Sequence, residues 1–277
     1  MIQKSYDNKA SLYLVPTPIG NLEDITFRAI SVLKSVDIIL CEDTRESTKL
    51  LKHYDINKKL IACHEFNEDK ILDKVRKILD SGKNIALISD QGSPIISDPG
   101  FILARYLINN GYNVISLPGP TAFVPAISSS GLNPSPFIYY GFLNSKKSKR
   151  EMELKKLVNY PYSIIFYEAP HRLNSTLKSI LDIFGDRNIS ISREISKKYE
   201  TIYRDKISNL IDNIELKGEF VITVEGNSEL VDYSNLDIVE HVQLYLDDLS
   251  EMDAIKRVAK ERGVSKSEIY KKYHDSK

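Results

Sequence analysis

Residues 84–122 run NIALISDQGSPIISDPGFILARYLINNGYNVISLPGPTA, and their reading decides the fold. An apolar strand over 84–89 gives way to a loop over 90–100 that holds Gly92, Pro94, Pro99 and Gly100. A helix is expected over 101–109 and a strand over 113–117. Pro118-Gly119-Pro120 then breaks the chain, and a helix from Thr121 ends near Gly131. Strand alternating with helix implies a mostly parallel sheet covered on both faces. Right-handed crossovers put the carboxyl ends of its strands on one edge. Working toward the start, the same pattern holds. A strand over 12–15 is broken by Pro16-Thr17-Pro18-Ile19-Gly20. Asn21 is expected to cap the next helix, with Asp24 in its first turn. Ile25, Ala29, Val32, Leu33 and Val36 recur at helical spacing. A second strand over 37–41 and a helix over 44–54 follow.

Toward the end, Gly131-Leu132-Asn133-Pro134-Ser135-Pro136 reads as an interdomain linker. Beyond it come strands over 137–142, 162–167, 188–194, 199–204 and 219–224, which imply a mixed sheet. Helices are expected near 146–159, from His171, and near 205–214. Past about Tyr233 the chain turns helical and highly charged. The expected division is 11–131, 132–230 and a small appendage over 236–277, with a frayed polar start.

The 277 residues are 42% apolar and 27% charged, an ordinary globular composition. No stretch has the ~18 apolar residues of a membrane span. Two cysteines are too few for a disulfide framework, and a cytoplasmic protein is expected. Thirty-eight basic side chains balance thirty-eight acidic ones, so a nucleic-acid partner must be held by local patches.

Ligands of open α/β sheets bind beyond the carboxyl ends of the strands. Gly, Pro and small polar residues concentrate there, in 16–21, 90–100 and 118–122. One such loop is an ordinary turn, but three on one edge describe a crevice. The first strand is not followed by the dinucleotide fingerprint, and no phosphate-cradling P-loop occurs. Cys63 and His64 are adjacent, which is poor geometry for a nucleophile pair, and no metal-ligand spacing is present. Charged groups also sit at strand ends: Glu42-Asp43-Thr44-Arg45, Glu168-Ala169-Pro170-His171-Arg172, and Ser192-Arg193-Glu194. Caps and salt bridges account for such groups as readily as chemistry does. Composition and periodicity thus yield a cleft without a reaction.

The motifs themselves are more specific. Leu14-Val15-Pro16-Thr17-Pro18-Ile19-Gly20-Asn21-Leu22-Glu23-Asp24-Ile25-Thr26 resembles the opening motif of the ribosomal small-subunit methyltransferase I family, in the tetrapyrrole methylase superfamily. In order, Glu42-Asp43-Thr44-Arg45, Ser89-Asp90-Gln91-Gly92-Ser93-Pro94 with Ser97-Asp98-Pro99-Gly100, Leu117-Pro118-Gly119-Pro120-Thr121-Ala122, Phe166-Tyr167-Glu168-Ala169-Pro170-His171-Arg172 and Gly218-Glu219-Phe220-Val221 also resemble that family. The likeness covers about residues 12–226. Two departures stand out: Gln91-Gly92-Ser93 replaces Ala-Gly-Thr, and Asp205 stands where a glycine often follows Arg204.

The resemblance implies an α/β, two-domain tetrapyrrole methylase-like fold. It would have a parallel-sheet N-terminal domain, a mixed-sheet second domain, a cofactor cleft between them and a small C-terminal helical appendage. It implies methylation of the ribose 2′-OH of a decoding-centre cytidine in 16S rRNA, with S-adenosylmethionine as donor. Pro18, Asp90, Gly92, Ser93, Thr121, Ala122, Tyr167 and the backbone around Arg193 and Thr223 would hold the cofactor. Glu42, Asp43, Glu168 and His171 are the candidates for catalysis, and Arg45 and Arg172 for substrate contact. No metal is expected. The partner would be 16S rRNA or the small ribosomal subunit, not a membrane, and a homodimer is the superfamily's usual state.

Lys146, Lys147, Lys149, Arg150, Lys155 and Lys156 form a basic run suited to phosphates, though a solvated helix face has the same look. From Met252 to Lys277 eight Lys/Arg face four Asp/Glu. Ala254, Val258, Val264, Ile269 and Tyr270 are expected to form the core of a helix-turn-helix-like unit there, turning at Gly263. A corrin-type tetrapyrrole methyltransferase and a non-catalytic ribosome-binding factor are the rival readings.

Overall fold

The computed structural model describes residues 2–5, 7–227, 236–246 and 249–275. The chain divides into two compact units, Met1–Val158 with Tyr162–Glu225, and Asn159–Pro161 with Gly226–Lys277. The expected boundary near 230 lies outside the described residues.

The larger unit holds two five-stranded sheets. The first contains β1 (Ser11–Leu14), β2 (Ile38–Cys41), β3 (Lys59–Ala62), β4 (Ile85–Ile88) and β5 (Asn113–Ser116) in the order β3-β2-β4-β1-β5. All its neighbours are parallel, with Leu12 opposite Ile85 and Val114. β2 and β4 are buried at every position, as a sheet covered on both faces requires. On one face Leu14, Leu40 and Leu87 pack with Val75 of α3 (Glu68–Asp80) and Leu103 of α4 (Phe101–Asn109). On the other, Ile39, Ala86 and Ile88 pack with Ala29 and Leu33 of α1 (Phe27–Ser35) and Leu51 of α2 (Thr44–His53). Neighbouring strands β1 and β4 therefore send their helices to opposite faces. Their following loops part at that point and open a crevice.

The second sheet contains β6 (Phe137–Phe142), β7 (Ser163–Glu168), β8 (Asn188–Arg193), β9 (Thr201–Lys206) and β10 (Phe220–Val224) in the order β6-β7-β10-β8-β9. Only β6 and β7 run parallel, so the sheet is mixed as expected. One face packs Phe166, Ile191 and Ile222 against Leu154 of α6 (Lys147–Leu157) and Leu177 of α7 (Leu173–Phe184). On the other face Ile165 and Val221 meet Ala126 and Ile127 of α5 (Phe123–Ser130). That contact brings the second sheet over the carboxyl edge of the first.

Local departures from the sequence reading have physical causes. The first helix starts at Phe27, because Thr26 rather than Asn21 accepts the capping N–H, from Ala29 at 3.0 Å. Asn21 instead caps a short 3-10 turn, Leu22–Asp24. The polar start is not frayed there: the Gln3 amide donates to Val114 O at 2.9 Å and accepts its N–H at 3.0 Å, pairing the open edge of β5. The helix expected near 205–214 shrinks to α8, Ile207–Leu210. Extended Ile211 and left-handed Asp212, with φ of 63°, end it. β3 and α3 have no counterpart among the elements expected from the sequence.

In the smaller unit α9 (Ile238–Gln243), α10 (Glu251–Glu261) and α11 (Lys266–Asp275) enclose Val242, Ala254, Ile255, Val258, Ile269 and Tyr273. Val264 and Tyr270, expected in this core, are exposed. The register of α11 puts Tyr273 inward instead, four residues after Ile269. Gly263, with φ of 64°, makes the expected turn. No helix among the described residues is long and apolar enough to cross a membrane.

Candidate active site

Three turns form one wall. Thr17 and Gly92 exchange backbone hydrogen bonds of 2.9 and 3.0 Å, and Thr17 Oγ1 donates to Ser89 O at 3.1 Å. Ser93 Oγ donates to Pro120 O at 3.0 Å. The loops after β1, β4 and β5 are thus clipped together. Their glycines permit the approach. A β-carbon on Gly119 would lie 2.7 Å from Pro16 Cβ, and Gly92 has φ of 78° with Ile19 beside it. The opposite wall comes from the second sheet. Tyr167 Oη accepts the Phe123 N–H at 3.2 Å, and its ring meets Tyr139 and Phe142 edge-on, 5.2 and 5.6 Å between centroids.

Between the walls lies a cavity of about 440 Å³, within the range of small-molecule sites. Ile19, Ile96, Phe142, Tyr167, Ile195 and Val221 supply apolar lining, and Asp98, Ser97, Gln91, Glu168 and Glu219 the polar groups. Both rims carry non-glycine residues at positive φ: Ile95 and Ser97 on one, Glu194 and Ser196 on the other. Such backbone costs energy and is held only where the surroundings over-determine it. The 194–200 rim is latched by Lys197, which crosses Gly20 and pairs with Glu194 at 3.1 Å and Glu219 at 2.7 Å. Ser196 also bonds Asp24.

The carboxylates named from sequence separate by environment. Asp43 caps α2, and Arg45 closes on it through 2.7 and 3.1 Å contacts that hold its carboxyl at about 2. Arg45 is therefore tied to a neighbour, although its side chain is exposed. Glu168 lines the cavity but is committed. It accepts from Thr176 Oγ1 at 2.6 Å and from the Ala169 N–H at 2.9 Å, and Arg172 Nε lies 3.2 Å away. Arg172 in turn donates to Leu143 O at 2.6 Å. His171 is exposed and does not line the cavity. Burial raises the Glu42 and Asp90 carboxyls, and each is pushed further up by acidic neighbours. Asp90 accepts the Asp43 N–H at 3.3 Å.

Other named residues support the walls rather than the cavity surface. Pro18 is buried, and Thr121 and Ala122 sit at the start of α5, with Ala122 reaching the lining. Arg193 is held by Lys217 O at 2.6 Å and Glu215 at 2.8 Å. Thr223 lies mid-strand in β10, paired on both sides, so its backbone is used in the sheet. Lys146 and Lys147 are exposed at the start of α6, whereas Arg150 of the same run turns inward to Ser179 Oγ and Ser175 O. Burial pushes the Cys63 thiol up to about 12, which removes it as a nucleophile.

Asp98 was not singled out from the sequence. It lines the cavity, and among the described residues no hydrogen bond or ion pair engages its carboxylate. Burial, with Glu42 and Asp90 nearby, lifts it to about 7. Its motif, Ser97-Asp98-Pro99-Gly100, was legible; which of its side chains turns inward was not.

A two-sheet α/β protein with a cleft formed by clipped turns is the architecture of the tetrapyrrole methylases. The model of the family described as Tetrapyrrole (Corrin/Porphyrin) Methylases matches residues 11–211. The crystal structure of uroporphyrin-III C-methyltransferase from Thermus thermophilus, complexed with S-adenosyl homocysteine, superposes with a TM-score of 0.58 at 16% identity, over 78% of this chain and 97% of that one. Ribosomal RNA small subunit methyltransferase I of Bacillus subtilis (strain 168) is 46% identical over 285 residues, 98% of each chain. The protein of the same name from Halalkalibacterium halodurans is 44% identical over 284 residues, again 98% of each. The chain belongs to the ribosomal RNA small subunit methyltransferase I family.

Proposed function

We propose that this chain methylates the ribose 2′-OH of a decoding-centre cytidine in 16S rRNA, with S-adenosylmethionine as donor. The observation that carries the reading is the cavity itself, walled by three glycine-bearing turns and bordered by acidic groups. It suits a folded ligand that joins an aromatic ring to a cationic sulfonium and an ammonium group. Ile19, Tyr167 and Val221 offer apolar surface to the ring, and Asp98 and Glu219 offer negative charge to the cations. The bare backbone at Gly92 and Gly119 lets the turns close against Ile19 and Pro16 of the first loop, which shapes that wall.

The donor supplies a methyl group already activated on sulfonium. The chain's own contribution is alignment, on the order of 7–11 kcal/mol at best. The Tyr139–Ser97 contact of 2.6 Å and the Lys197 latch fix the two walls. For the RNA, the exposed Lys146, Lys147, Lys149, Lys155 and Lys156 of the α6 segment and the basic tail are the proposed phosphate contacts. The likeness to rRNA methyltransferases over nearly the whole length favours RNA over a tetrapyrrole as acceptor. A homodimer acting in the cytoplasm completes the proposal.

The test is transfer of labelled methyl from S-adenosylmethionine to small ribosomal subunits, with the product mapped to base or ribose. Label on one ribose 2′-oxygen is expected. Transfer to a corrinoid instead, or no transfer to small subunits under conditions where the donor binds, would overturn it.

A further inference from the structure

We propose that the groove between the outer edge of β3 and α3 is a docking surface for RNA, where lysines hold phosphates of the small subunit's RNA away from the nucleotide that is methylated. The inference rests on the reading above that the acceptor is small-subunit RNA.

β3 is the last strand of the first sheet, so one of its edges has no strand beside it. Between that edge and α3 lies a cavity of about 590 Å³. Lys59 at the start of β3, Lys70, Lys74 and Lys77 of α3, and Lys83 before β4 line it, beside Ile61 and Ile78. All five lysines are exposed. Among the described residues Asp73 is the one acid of the lining, and its carboxylate lies 3.8 Å from Arg76. No hydrogen bond or ion pair among the described residues engages any of the five ammonium groups.

The stability of the fold does not account for this arrangement. Helical geometry puts Lys70, Lys74 and Lys77 in one sector of about 60°, in a row about 10 Å long. Like charges at that spacing repel and weaken a helix. Lys70 also stands in the first turn of α3, where the helix dipole disfavours a cation. A lysine on an outermost strand keeps that edge from pairing with another chain, and Lys59 alone meets that need. The α3 row and Lys83 go beyond it. On a chain with no net charge they make a local positive field, which suits a polyanion.

The groove also leads toward the crevice. α3 is preceded by Asn67, in the loop that follows β3 at the carboxyl edge of the sheet. Phe66 of that loop is 83% exposed, and its ring lies 6.2 Å from that of His64. His64 in turn is near enough to Glu42, after β2, to act on its charge. The lysines thus run along β3 to an exposed aromatic ring at the crevice rim. Cations in a groove and a bare ring at its end are the two components of single-stranded RNA binding: lysines take phosphates, and the ring takes an unpaired base.

The test uses the full-length protein and small ribosomal subunits that lack the modification. Binding is measured from about 50 to 300 mM salt for three proteins. They are the wild type, the groove variant Lys70→Gln/Lys74→Gln/Lys77→Gln, and the control Lys4→Gln/Lys34→Gln/Lys52→Gln, which removes the same charge from exposed sites outside the groove. Exposed substitutions of this kind should leave all three melting within about 2 °C of one another. The groove variant should bind on the order of 10–100-fold more weakly near 0.1 M salt. Its log–log salt slope should be shallower by about 2, at roughly 0.7–0.9 per phosphate lost. Methyl transfer should show the same rise in KM, with kcat unchanged at saturating subunits and S-adenosylhomocysteine affinity retained. The control should match the wild type. Cys41 and Cys63 are buried, so a benzophenone can be attached selectively to the Lys74→Cys protein, and on irradiation it should join 16S rRNA. Equal affinity and slope in the groove and control variants would overturn the proposal. So would a crosslink to a ribosomal protein, which would make the groove a protein site, or a loss confined to kcat or cofactor affinity. If the wild type methylates small-subunit RNA and one of these results is found, the groove assignment falls alone. If the wild type neither binds nor methylates small subunits, the functional reading falls and takes the groove with it.

Discussion

Replacing Asp98 by Asn should stabilise the protein, and the gain should depend on pH. The native carboxyl titrates at about 7 against an ordinary value of 3.8. Between those values the folded protein binds a proton that the unfolded chain has released. Stability therefore falls as pH rises from about 4 to about 7, and stays lowered above that. At 1.36 kcal/mol per pKa unit the full shift corresponds to roughly 4 kcal/mol. Asp98 borders an open cavity, and solvent screening reduces this to about 1–2 kcal/mol. Asn has the same shape and no charge to desolvate. Near pH 4, where the native carboxyl is protonated, the two proteins should melt within about 1 °C of each other. By pH 8 the Asn protein should melt roughly 2–8 °C higher, at about 2–4 °C per kcal/mol for a chain of this size. The check is the melting temperature of both proteins at half-unit steps from pH 4 to 8, at one ionic strength. A difference that is flat with pH, or that favours the wild type at pH 8, would refute the reasoning, because burial and the Glu42 and Asp90 charges act only on the ionised form.

Glu168→Ala should behave oppositely. It strips acceptors from Thr176 Oγ1 and the Ala169 N–H and leaves Arg172 without its counter-charge, so a loss of ~3–5 kcal/mol is expected in urea denaturation. Gly92→Ala forces a left-handed alanine against Ile19, at about 1–2 kcal/mol, and should weaken S-adenosylhomocysteine binding roughly tenfold by calorimetry. Between pH 6 and 8 affinity for cationic S-adenosylmethionine should rise relative to the neutral homocysteine product, as Asp98 ionises; a constant ratio would count against charge at that position. Truncation after residue 235 should weaken binding to small-subunit RNA in filter assays and flatten its salt dependence, while cofactor affinity holds.

Most of the fold was legible because its signals are local. Phe101–Asn109 and Phe137–Phe142 lie where apolar spacing and turn residues put them. β3 was harder: only Ile61 of its four residues is buried, as suits an edge strand with little apolar patterning. α3 carries helical spacing in Ile71, Val75 and Leu79, all buried. The site was less legible, because a residue type does not state its obligations. Asp43 reads as a catalytic carboxylate and turns out to cap α2 under Arg45. Arg150 reads as an RNA contact and turns out to brace α6 on α7. In each case the deciding partner lies on the next turn of chain or on another element, and its hydrogen bonds use up the group. Asp98 is the converse. Nothing local distinguishes it from Asp90, eight residues earlier in the same loop. What distinguishes it is the absence of a partner among the described residues together with a place on the cavity surface, and only the assembled loops and second sheet produce that pairing. A functional group in this fold is one that packing leaves unsatisfied where a ligand can reach it. Sequence motifs bound the search to a loop, and the tertiary structure selects the side chain.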